Sequence, residues 1–352
     1  MTELLLIEAD KIGSATSPLG LTRTVAITVD CLTPRAGDVV VVRALTDSAT
    51  YNMLELPSGR LAKINPGDLL IGVLGRRRAL KGFVGDIPET IKRGDQLHLL
   101  NMGGVIGFCT GHHSSLSDAI SVEVLGLVTD ESGRIRNIAD AALPVRTHLG
   151  DTAPIVMIAG TSMNSGKTYA ATELIKQATR AGLRVAAAKL SGVACLRDTL
   201  NMLDHGAFAT ASFLDCGLPS TVGAGDLAPM AKAIVAKLNE DSPDLIVLEL
   251  GDGILGGYAV DSIFEDSELR EATAAFLFCA SDYVGAWGGI ELLRRRGIDI
   301  DLIAGSVSDS QMGQDYIETE FGVPAANARR DGALLFARIR SKIEAARERV
   351  AA

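Results

Sequence analysis

The chain has 352 residues, which is too long for one typical core, so two domains are the default expectation. Its net charge of −9, without a long basic run, argues against nonspecific nucleic-acid binding. No apolar stretch is long enough to span a membrane, and the five scattered cysteines form no CxxC pair, which is typical of a reduced cytoplasmic protein.

The first half is predicted to be rich in β-strands. Residues 1–10 hold a short apolar run between acids, which predicts a first strand and lacks the basic start of a signal peptide. Three Gly-Asp pairs each mark the entry to a strand, at Gly37-Asp38, Gly67-Asp68 and Gly94-Asp95. Further strands are predicted at residues 22–30, 79–84, 105–109 and 122–128. Residues 1–148 are therefore expected to form a small β-barrel or sandwich, an accessory or substrate domain.

Two segments of this half allow alternative interpretations. The Gly-rich residues 101–107 could let the backbone approach a ligand, but tight strand bends are favoured. Cys109, His112 and His113 could hold a metal, yet no second cluster with ligand spacing supports them. A loop that contacts substrate or lies at a domain interface is the favoured interpretation. Residues 129–153, with polar turns and proline near both ends, are predicted to be the linker.

Residues 149–352 are predicted to alternate strands with helices. Strands are expected at residues 155–159, 184–189, 244–249, 274–280 and 302–304. Helices are expected at residues 166–182, 196–205, 228–238 (with Asp226 as N-cap), 287–296, 311–321 and 331–350. This alternation predicts a mostly parallel sheet covered by helices on both faces, with ligands at the carboxyl ends of the strands.

A phosphate-binding loop (P-loop) follows the first of these strands. The sequence Gly160-Thr-Ser-Met-Asn-Ser-Gly-Lys-Thr168 lies between an apolar strand and a helix, with five residues between the glycines. Loop amides and the helix N-terminus can bind phosphates, Lys167 can reach the outer phosphates, and the Thr168 hydroxyl can bind Mg²⁺. The predicted nucleotide-binding residues are Gly160, Thr161, Asn164, Ser165, Gly166, Lys167 and Thr168.

Two other strand ends carry candidate catalytic residues. Lys189 ends the second strand, where its charge can stabilise a transferring phosphoryl group; the alternative is a solvent-facing lysine. Glu249 ends an apolar strand and is the favoured Mg²⁺ ligand, with Asp252 as the competing acid. Asp198 is either a second Mg²⁺ ligand or a helix N-terminal acid.

Two polar loops remain open candidates. The segment from Asp215 to Thr221 is a weak candidate for substrate contact. The segment from Ser306 to Asp309 follows the strand at Leu302, where many P-loop folds bind the nucleotide base. It lacks an Asn-Lys-x-Asp guanine signature, which favours ATP over GTP.

The P-loop resembles that of dethiobiotin synthetase and its relatives, which share the Gly-Thr start and the five intervening residues. Lys189 with Ser191-Gly192 resembles that family's phosphate- and substrate-binding stretch, and Glu249 resembles its metal-linked Glu. The likeness covers residues 154–310. Ser162 replaces the family's Asp, which argues against biotin synthesis, and it also stands where partitioning ATPases carry a signature lysine. A broader likeness extends to NTPases of molybdopterin-dinucleotide assembly and to a two-domain family, some of whose members act on acidic amino acids.

These features predict an α/β P-loop NTPase domain that follows a small β domain. The expected activity is a Mg²⁺-dependent, ATP-hydrolysing enzyme that transfers the γ-phosphoryl group to a small acceptor such as a carboxylate, as synthetases do. Lys167, Lys189 and Glu249 are the expected catalytic residues, and Thr168, Glu249 and Asp198 are the expected metal ligands. The alternative is a nucleotide-dependent accessory protein for cofactor assembly or a protein partner. The expected partner is a small-molecule substrate, not nucleic acid or a membrane, and a homo-oligomer is compatible with the sequence.

Overall fold

The computed structural model describes residues 4–48 and 50–351, which form two compact units. The first unit contains the described residues up to Leu143 together with Val193–Arg197 and Phe213–Val222. The second contains Pro144–Gly192, Asp198–Ser212 and Gly223–Ala352. The predicted boundary after residue 148 therefore lies a few residues late. The prediction also missed the two later segments of the first unit, because no local pattern marks a segment that returns to a distant core.

The first unit is built from twelve strands. They are β1 (Leu4–Glu8), β2 (Lys11–Ile12), β3 (Thr24–Thr28), β4 (Val39–Ala44), β5 (Met53–Glu55), β6 (Leu61–Lys63), β7 (Leu69–Leu74), β8 (Arg77–Arg78), β9 (Phe83–Asp86), β10 (Gln96–Asn101), β11 (Val105–His112) and β12 (Ser121–Thr129). The predicted strand at residues 79–84 is wrong over its first half, because Gly82 closes a turn on Ala79 and β9 begins only at Phe83. Residues 1–3 of the predicted first strand lie outside the described residues.

Five of these strands close into a barrel. Strand β4 pairs with β7, β7 with β11, β11 with β10, β10 with β12, and β12 with β4, so the ring has no open edge. Only the β7–β11 pairing is parallel. Alternate residues such as Val40, Val42, Val122 and Val124 point into one core, as the two-residue period of a strand requires. The sequence left a barrel and a sandwich open, and the closed ring is the barrel.

The second unit has six strands in one sheet, in the order β15-β14-β16-β13-β17-β18, and every pairing is parallel. The strands are β13 (Ile155–Gly160), β14 (Val185–Ser191), β15 (Ala209–Ser212), β16 (Leu245–Leu250), β17 (Thr273–Cys279) and β18 (Leu302–Ala304). Strands β13 and β16 are buried along their whole length, which explains their unbroken apolar sequences.

Eight α-helices accompany this sheet in the described residues. They are α1 (Lys167–Arg180), α2 (Arg197–Asp204), α3 (Ala228–Asn239), α4 (Asp261–Glu265), α5 (Ser267–Ala272), α6 (Tyr283–Arg294), α7 (Gln311–Tyr316) and α8 (Gly332–Ala351). A π-helical segment, Ile317–Phe321, continues α7. The predicted helix at residues 287–296 begins earlier, at Tyr283, because Asp282 caps it by accepting a hydrogen bond from the Gly285 amide. The N-cap of α3 is Leu227 and not the predicted Asp226, which lies one residue earlier and accepts a hydrogen bond from the Ala228 amide.

The helices cover both faces of the sheet. Helices α1 and α8 share a core with one set of alternating strand residues, including Val156, Ile158 and Leu277. On the other face, α6 packs so closely that a side chain at Gly289 would overlap the ring of Phe278. Within residues 4–48 and 50–351, no helix combines the length and the apolar character needed to cross a bilayer. This layering brings the loops at the carboxyl ends of β13, β14, β16, β17 and β18 to one edge of the sheet.

Candidate active site

The P-loop connects β13 to α1 and needs glycine at both ends. A Cβ on Gly160 would lie 2.5 Å from the Ser165 hydroxyl oxygen, which is closer than packed atoms allow. Gly166 has φ +107°, a conformation that favours glycine, and a Cβ there would lie 2.9 Å from Gly305 Cα. Asn164, at the tip, also has a positive φ of +65°. The two glycines therefore hold the loop in a tight turn ahead of the helix.

Lys167 is buried inside this loop, with 5% of its surface exposed. Its Nζ donates hydrogen bonds to the Ser162 carbonyl oxygen at 2.8 Å and to Ser165 Oγ at 3.5 Å. Burial lowers the pKa of Lys167 below its usual value, while the negative charge of Glu249 opposes this change. A buried ammonium with these neutral hydrogen-bond acceptors gains from a bound anion, as a phosphate would provide.

Thr168 and Glu249 lie side by side at the first turn of α1 and the end of β16. The Thr168 hydroxyl donates a hydrogen bond to Glu249 Oε1 at 3.0 Å. Glu249 is 2% exposed, and among the described residues its other oxygen, Oε2, has no hydrogen-bond partner. A buried, unsatisfied carboxylate oxygen is costly and needs a partner such as a cation or a water molecule.

Lys189 stands next to Glu249 in the parallel pairing of β14 with β16. Its Nζ forms an ion pair with the buried carboxylate of Asp198 in α2. The Ser191 hydroxyl donates a hydrogen bond to the Gly251 carbonyl oxygen at 3.0 Å. Lys189 is therefore paired and largely buried, unlike a solvent-facing lysine at the end of a strand.

Asp252, the competing acid, follows the end of β16 in a left-handed conformation, with φ +62°. Its charge helps to keep Lys167 protonated, after the larger effect of Glu249, so it lies in the same electrostatic environment. The neighbouring Gly253 is also constrained, because a side chain there would overlap the Thr161 carbonyl oxygen. The turn after Glu249 thus packs against the start of the P-loop.

The loop after β18 borders the other side of the P-loop. A side chain on Gly305 would overlap the Ser165 carbonyl oxygen. Asp309 Oδ1 accepts a hydrogen bond of 2.6 Å from Asn327 Nδ2, and the Asn327 Oδ1 accepts from the amides of Arg329 and Arg330. This network fixes the loop that the sequence predicted as a base-binding segment.

The structure brings the predicted strand-end residues to one edge of the second unit, and it moves one candidate elsewhere. Lys167, Thr168 and Glu249 form one group, and Lys189 with Asp198 forms the adjacent pair. The candidate loop from Asp215 to Thr221 lies in the first unit instead, because Phe213–Val222 packs there. It is therefore not part of the second unit that carries the P-loop.

The Cys109, His112 and His113 segment does not form a metal site in the described residues. No group of three or more His, Cys, Asp or Glu side chains there is arranged to hold a metal ion. His112 Nε2 instead lies 3.2 Å from Asp118 Oδ1, and the Cys109 thiol donates to the Gly111 carbonyl oxygen at 3.4 Å. The Gly-rich residues 101–107 make close backbone contacts, as the strand-bend interpretation expects. The Gly103 carbonyl oxygen accepts a hydrogen bond from the Ala15 amide, and the Gly104 carbonyl oxygen accepts one from the Val73 amide.

Sequence reasoning missed two residues next to the P-loop. Tyr169 follows Thr168, and the guanidinium carbon of Arg329 stacks 3.9 Å from the centre of its ring. This pair places an exposed cation beside the first turn of α1. The adjacency of Tyr169 to Thr168 was a usable signal, whereas Arg329 is 160 residues away in sequence and carried none.

Comparisons with known proteins found matches among solved structures at low sequence identity. No protein-family model matches the chain, and no curated protein matches it. The signal recognition particle 54 kDa protein of Aeropyrum pernix K1, solved in complex with GDP, is 17% identical over 60% of this chain and 52% of that chain, with a TM-score of 0.38. The cell division protein FtsY of Thermotoga maritima is 15% identical over 53% and 63%, with a TM-score of 0.35. A DUF1611 family protein of Anabaena variabilis is 14% identical over 60% and 66%, with a TM-score of 0.42.

The matched regions thus span between half and two thirds of those three chains. The parallel sheet and the strand–P-loop–helix unit of this chain are those of an α/β P-loop NTPase fold. The functions named for these neighbours belong to those proteins.

Proposed function

We propose that this protein is a Mg²⁺-dependent, ATP-hydrolysing enzyme that transfers the γ-phosphoryl group to a small acceptor such as a carboxylate. One observation carries the proposal: Thr168 donates to Glu249 Oε1 while the buried Glu249 Oε2 has no partner among the described residues. A hydroxyl that follows the P-loop lysine and a carboxylate at the neighbouring strand end are the pair that P-loop enzymes use for their metal.

The residues at this position fit a magnesium ion. Mg²⁺ prefers oxygen ligands, and Thr168 and Glu249 offer a hydroxyl and a carboxylate next to each other. The unsatisfied Oε2 is the oxygen that a cation or its water shell would satisfy. Thr168 and Glu249 would hold the ion, with Asp198 as a third candidate. When bound, Mg²⁺ would neutralise the phosphate charge.

The remaining steps belong to the chain's own groups. The amides of the P-loop, from Gly160 to Thr168, and the N-terminus of α1 would bind the phosphates. Lys167, buried with its Nζ on neutral hydrogen-bond acceptors, would bind the outer phosphate oxygens. Lys189, held by Asp198, would place a second positive charge where negative charge develops on the transferring group.

A second candidate function is a nucleotide-dependent accessory protein, and a different observation favours it. Val284 and Trp287 on α6, and Met312 on α7, are each more than half exposed. The rings of Tyr283 and Tyr316 lie 4.3 Å apart, so they bring these two helices together. Clustered exposed apolar side chains are typical of surfaces that bind another protein.

Nucleotide binding and turnover with a panel of small acceptors test the proposal. The wild type is expected to bind and hydrolyse ATP with Mg²⁺, more slowly with GTP, and to be stimulated by one class of small carboxylate. Lys167→Ala should abolish turnover, while Lys176→Ala, at a half-buried position later in the same helix, should not. Unchanged ATP binding and turnover in Lys167→Ala would overturn the proposal. Turnover that responds only to a protein would favour the accessory function.

A further inference from the structure

Arg77 is a buried cation in the first unit that has no counterion among the described residues. It is 4% exposed, and its guanidinium donates from Nη1 to the Leu100 carbonyl oxygen and from Nη2 to the Tyr51 hydroxyl, the latter at 3.3 Å. The guanidinium carbon also lies 5.2 Å from the centre of the Tyr51 ring. Arg77 Nε is buried without a hydrogen-bond partner, and no described carboxylate forms an ion pair with Arg77.

The neighbouring arginines show the contrast. Arg76 and Arg78 are much more exposed, yet both approach Asp86, at 3.8 Å and 2.6 Å. Arginine keeps its positive charge in proteins, so Arg77 is a desolvated charge with neutral partners only. Burying a charge without a counterion is costly, and the face of a single aromatic ring recovers only part of this cost. An anion is therefore the kind of partner that would compensate the charge of Arg77.

The surroundings of Arg77 are shaped to admit the guanidinium. A Cβ on Gly82 would lie 2.8 Å from Arg77 Nη2, so only glycine leaves room for the charged group at that turn. The cluster beyond it is apolar and includes Phe83 and Leu100. A small, singly charged anion suits such a cluster better than a doubly charged phosphate, because each charge must lose its water.

Tyr51 covers this position in a strained conformation. Its φ is +53°, which is rare for a bulky aromatic residue, and its ring packs 5.4 Å from that of Phe83. Strain of this kind persists only where the surroundings impose it, and it is concentrated at ligand-binding positions. Movement of Tyr51 would release the strain and expose the guanidinium.

We propose that Arg77 binds a small carboxylate, with Tyr51 as the cover of the site. Arg77 Nε and one terminal nitrogen can donate two parallel hydrogen bonds to the two oxygens of a carboxylate, which is the strongest pairing that arginine makes. The site lies entirely in the first unit. Its existence does not depend on whether the second unit hydrolyses ATP.

The test uses the full chain and measures thermal unfolding and calorimetric binding at constant ionic strength. The probes are acetate, succinate, phosphate and chloride. Acetate or succinate should stabilise the wild type in a saturable way, and chloride should not. Arg77→Met should lose this response. Arg77→Lys, which keeps the charge but loses the two parallel bonds, should bind about tenfold more weakly. Arg76→Gln, the exposed neighbour, should respond as the wild type does.

Three results would overturn the inference. They are the absence of a saturable carboxylate response in the wild type, an equal response in Arg77→Met or Arg77→Lys, and binding of phosphate without binding of carboxylates. Without any added anion, Arg77→Met should unfold at a temperature no lower than the wild type, because it replaces an uncompensated buried charge with an apolar side chain of similar length. If Arg77→Met does not fold, Arg77→Lys carries the comparison.

Discussion

The Thr168 hydroxyl donates to Glu249 Oε1 at 3.0 Å, so the first turn of α1 and the end of β16 are joined by one hydrogen bond. The two residues are 81 positions apart in the chain, and the parallel pairing of β13 with β16 brings them together. The bond leaves Glu249 Oε2 as the buried oxygen without a partner among the described residues.

Glu249→Gln should separate metal-dependent turnover from nucleotide binding. The amide keeps the size and the hydrogen bond to Thr168 but removes the negative charge that attracts Mg²⁺. Mg²⁺-stimulated turnover should fall about 10- to 100-fold, while nucleotide binding in EDTA should persist. Turnover assays with a Mg²⁺ titration check this, and Glu265→Gln, on an exposed helix end, is the control. Wild-type Mg²⁺ dependence in Glu249→Gln would contradict the assignment.

Gly251→Ala should destabilise the folded state through steric overlap alone, without a change of charge. Its Cβ would overlap the Ser191 carbonyl oxygen and lie 2.8 Å from Lys189 Cε. Overpacking of this kind destabilises by about 1–3 kcal/mol, which urea unfolding can measure. Gly288→Ala, in the middle of α6 with open space around its Cβ, should instead stabilise by about 0.5–1 kcal/mol. If the two substitutions change the free energy of unfolding equally, the close packing around Gly251 does not exclude a side chain there.

Lys189 and Asp198 should be energetically coupled. Both side chains are largely buried, at 14% and 8% exposure, so their ion pair is poorly screened by solvent. A double-mutant cycle of Lys189→Met and Asp198→Asn should give a coupling energy of about 0.5–3 kcal/mol in unfolding experiments. The surface pair of Lys237 with Glu240 is the control and should couple more weakly, because solvent screens it. A coupling energy near zero for the buried pair would argue that Asp198 does not position Lys189.

The second unit should lose stability in acid through Glu268. Lys232 Nζ lies 2.6 Å from Glu268, and this contact, followed by a hydrogen bond from the Leu149 amide, lowers the pKa of Glu268 from 4.5 to about 2. The folded state therefore keeps this carboxylate ionised where the unfolded chain takes up a proton. The contribution is complete above pH 4.5 and is lost as the pH falls through about 2.

Unfolding at a series of pH values checks this prediction. The stability difference between the wild type and Glu268→Gln should be constant above about pH 5 and should shrink steadily below pH 4.5. Glu271→Gln is the control. It makes the same change of charge in the same helix, but the ion pair with Lys232 belongs to Glu268. A difference that stays constant down to pH 3 would contradict the lowered pKa.

Much of the second unit was predictable because its signals are local. The apolar strands and the glycines of the P-loop each depend on a few neighbouring residues, so five of the six strands of the second unit were predicted, without β15. Helices α4 and α5 were missed because they are only five and six residues long, which is too short to show a helical period. The early start of α6 was missed because Gly285, Gly288 and Gly289 lower helix propensity, and packing against Phe278 outweighs that preference.

Long-range partners were not predictable from the sequence. Lys189 was selected from its position at a strand end, but nothing in the sequence showed that Asp198 would pair with it. No local signal marks Arg77 as buried, because it lies within Arg76-Arg77-Arg78, and a short basic run is typical of a solvated turn. The structure buries only the middle arginine, and that distinction depends on contacts with Tyr51 and Leu100, 26 and 23 residues away.

The first unit contains Val193–Arg197 as well as the N-terminal residues, so no single continuous segment of the chain contains this unit alone. Glu55, 1% exposed, accepts a hydrogen bond from the Ser14 hydroxyl and another, of 2.6 Å, from the Leu196 amide. A fragment that ended at residue 148 would lack that amide, and it would also lack the carbonyl oxygen of Ala194 that accepts from Asn101 Nδ2. The barrel therefore cannot be excised as an independent module by one cut, and a genetic fusion or insertion must respect both returning segments.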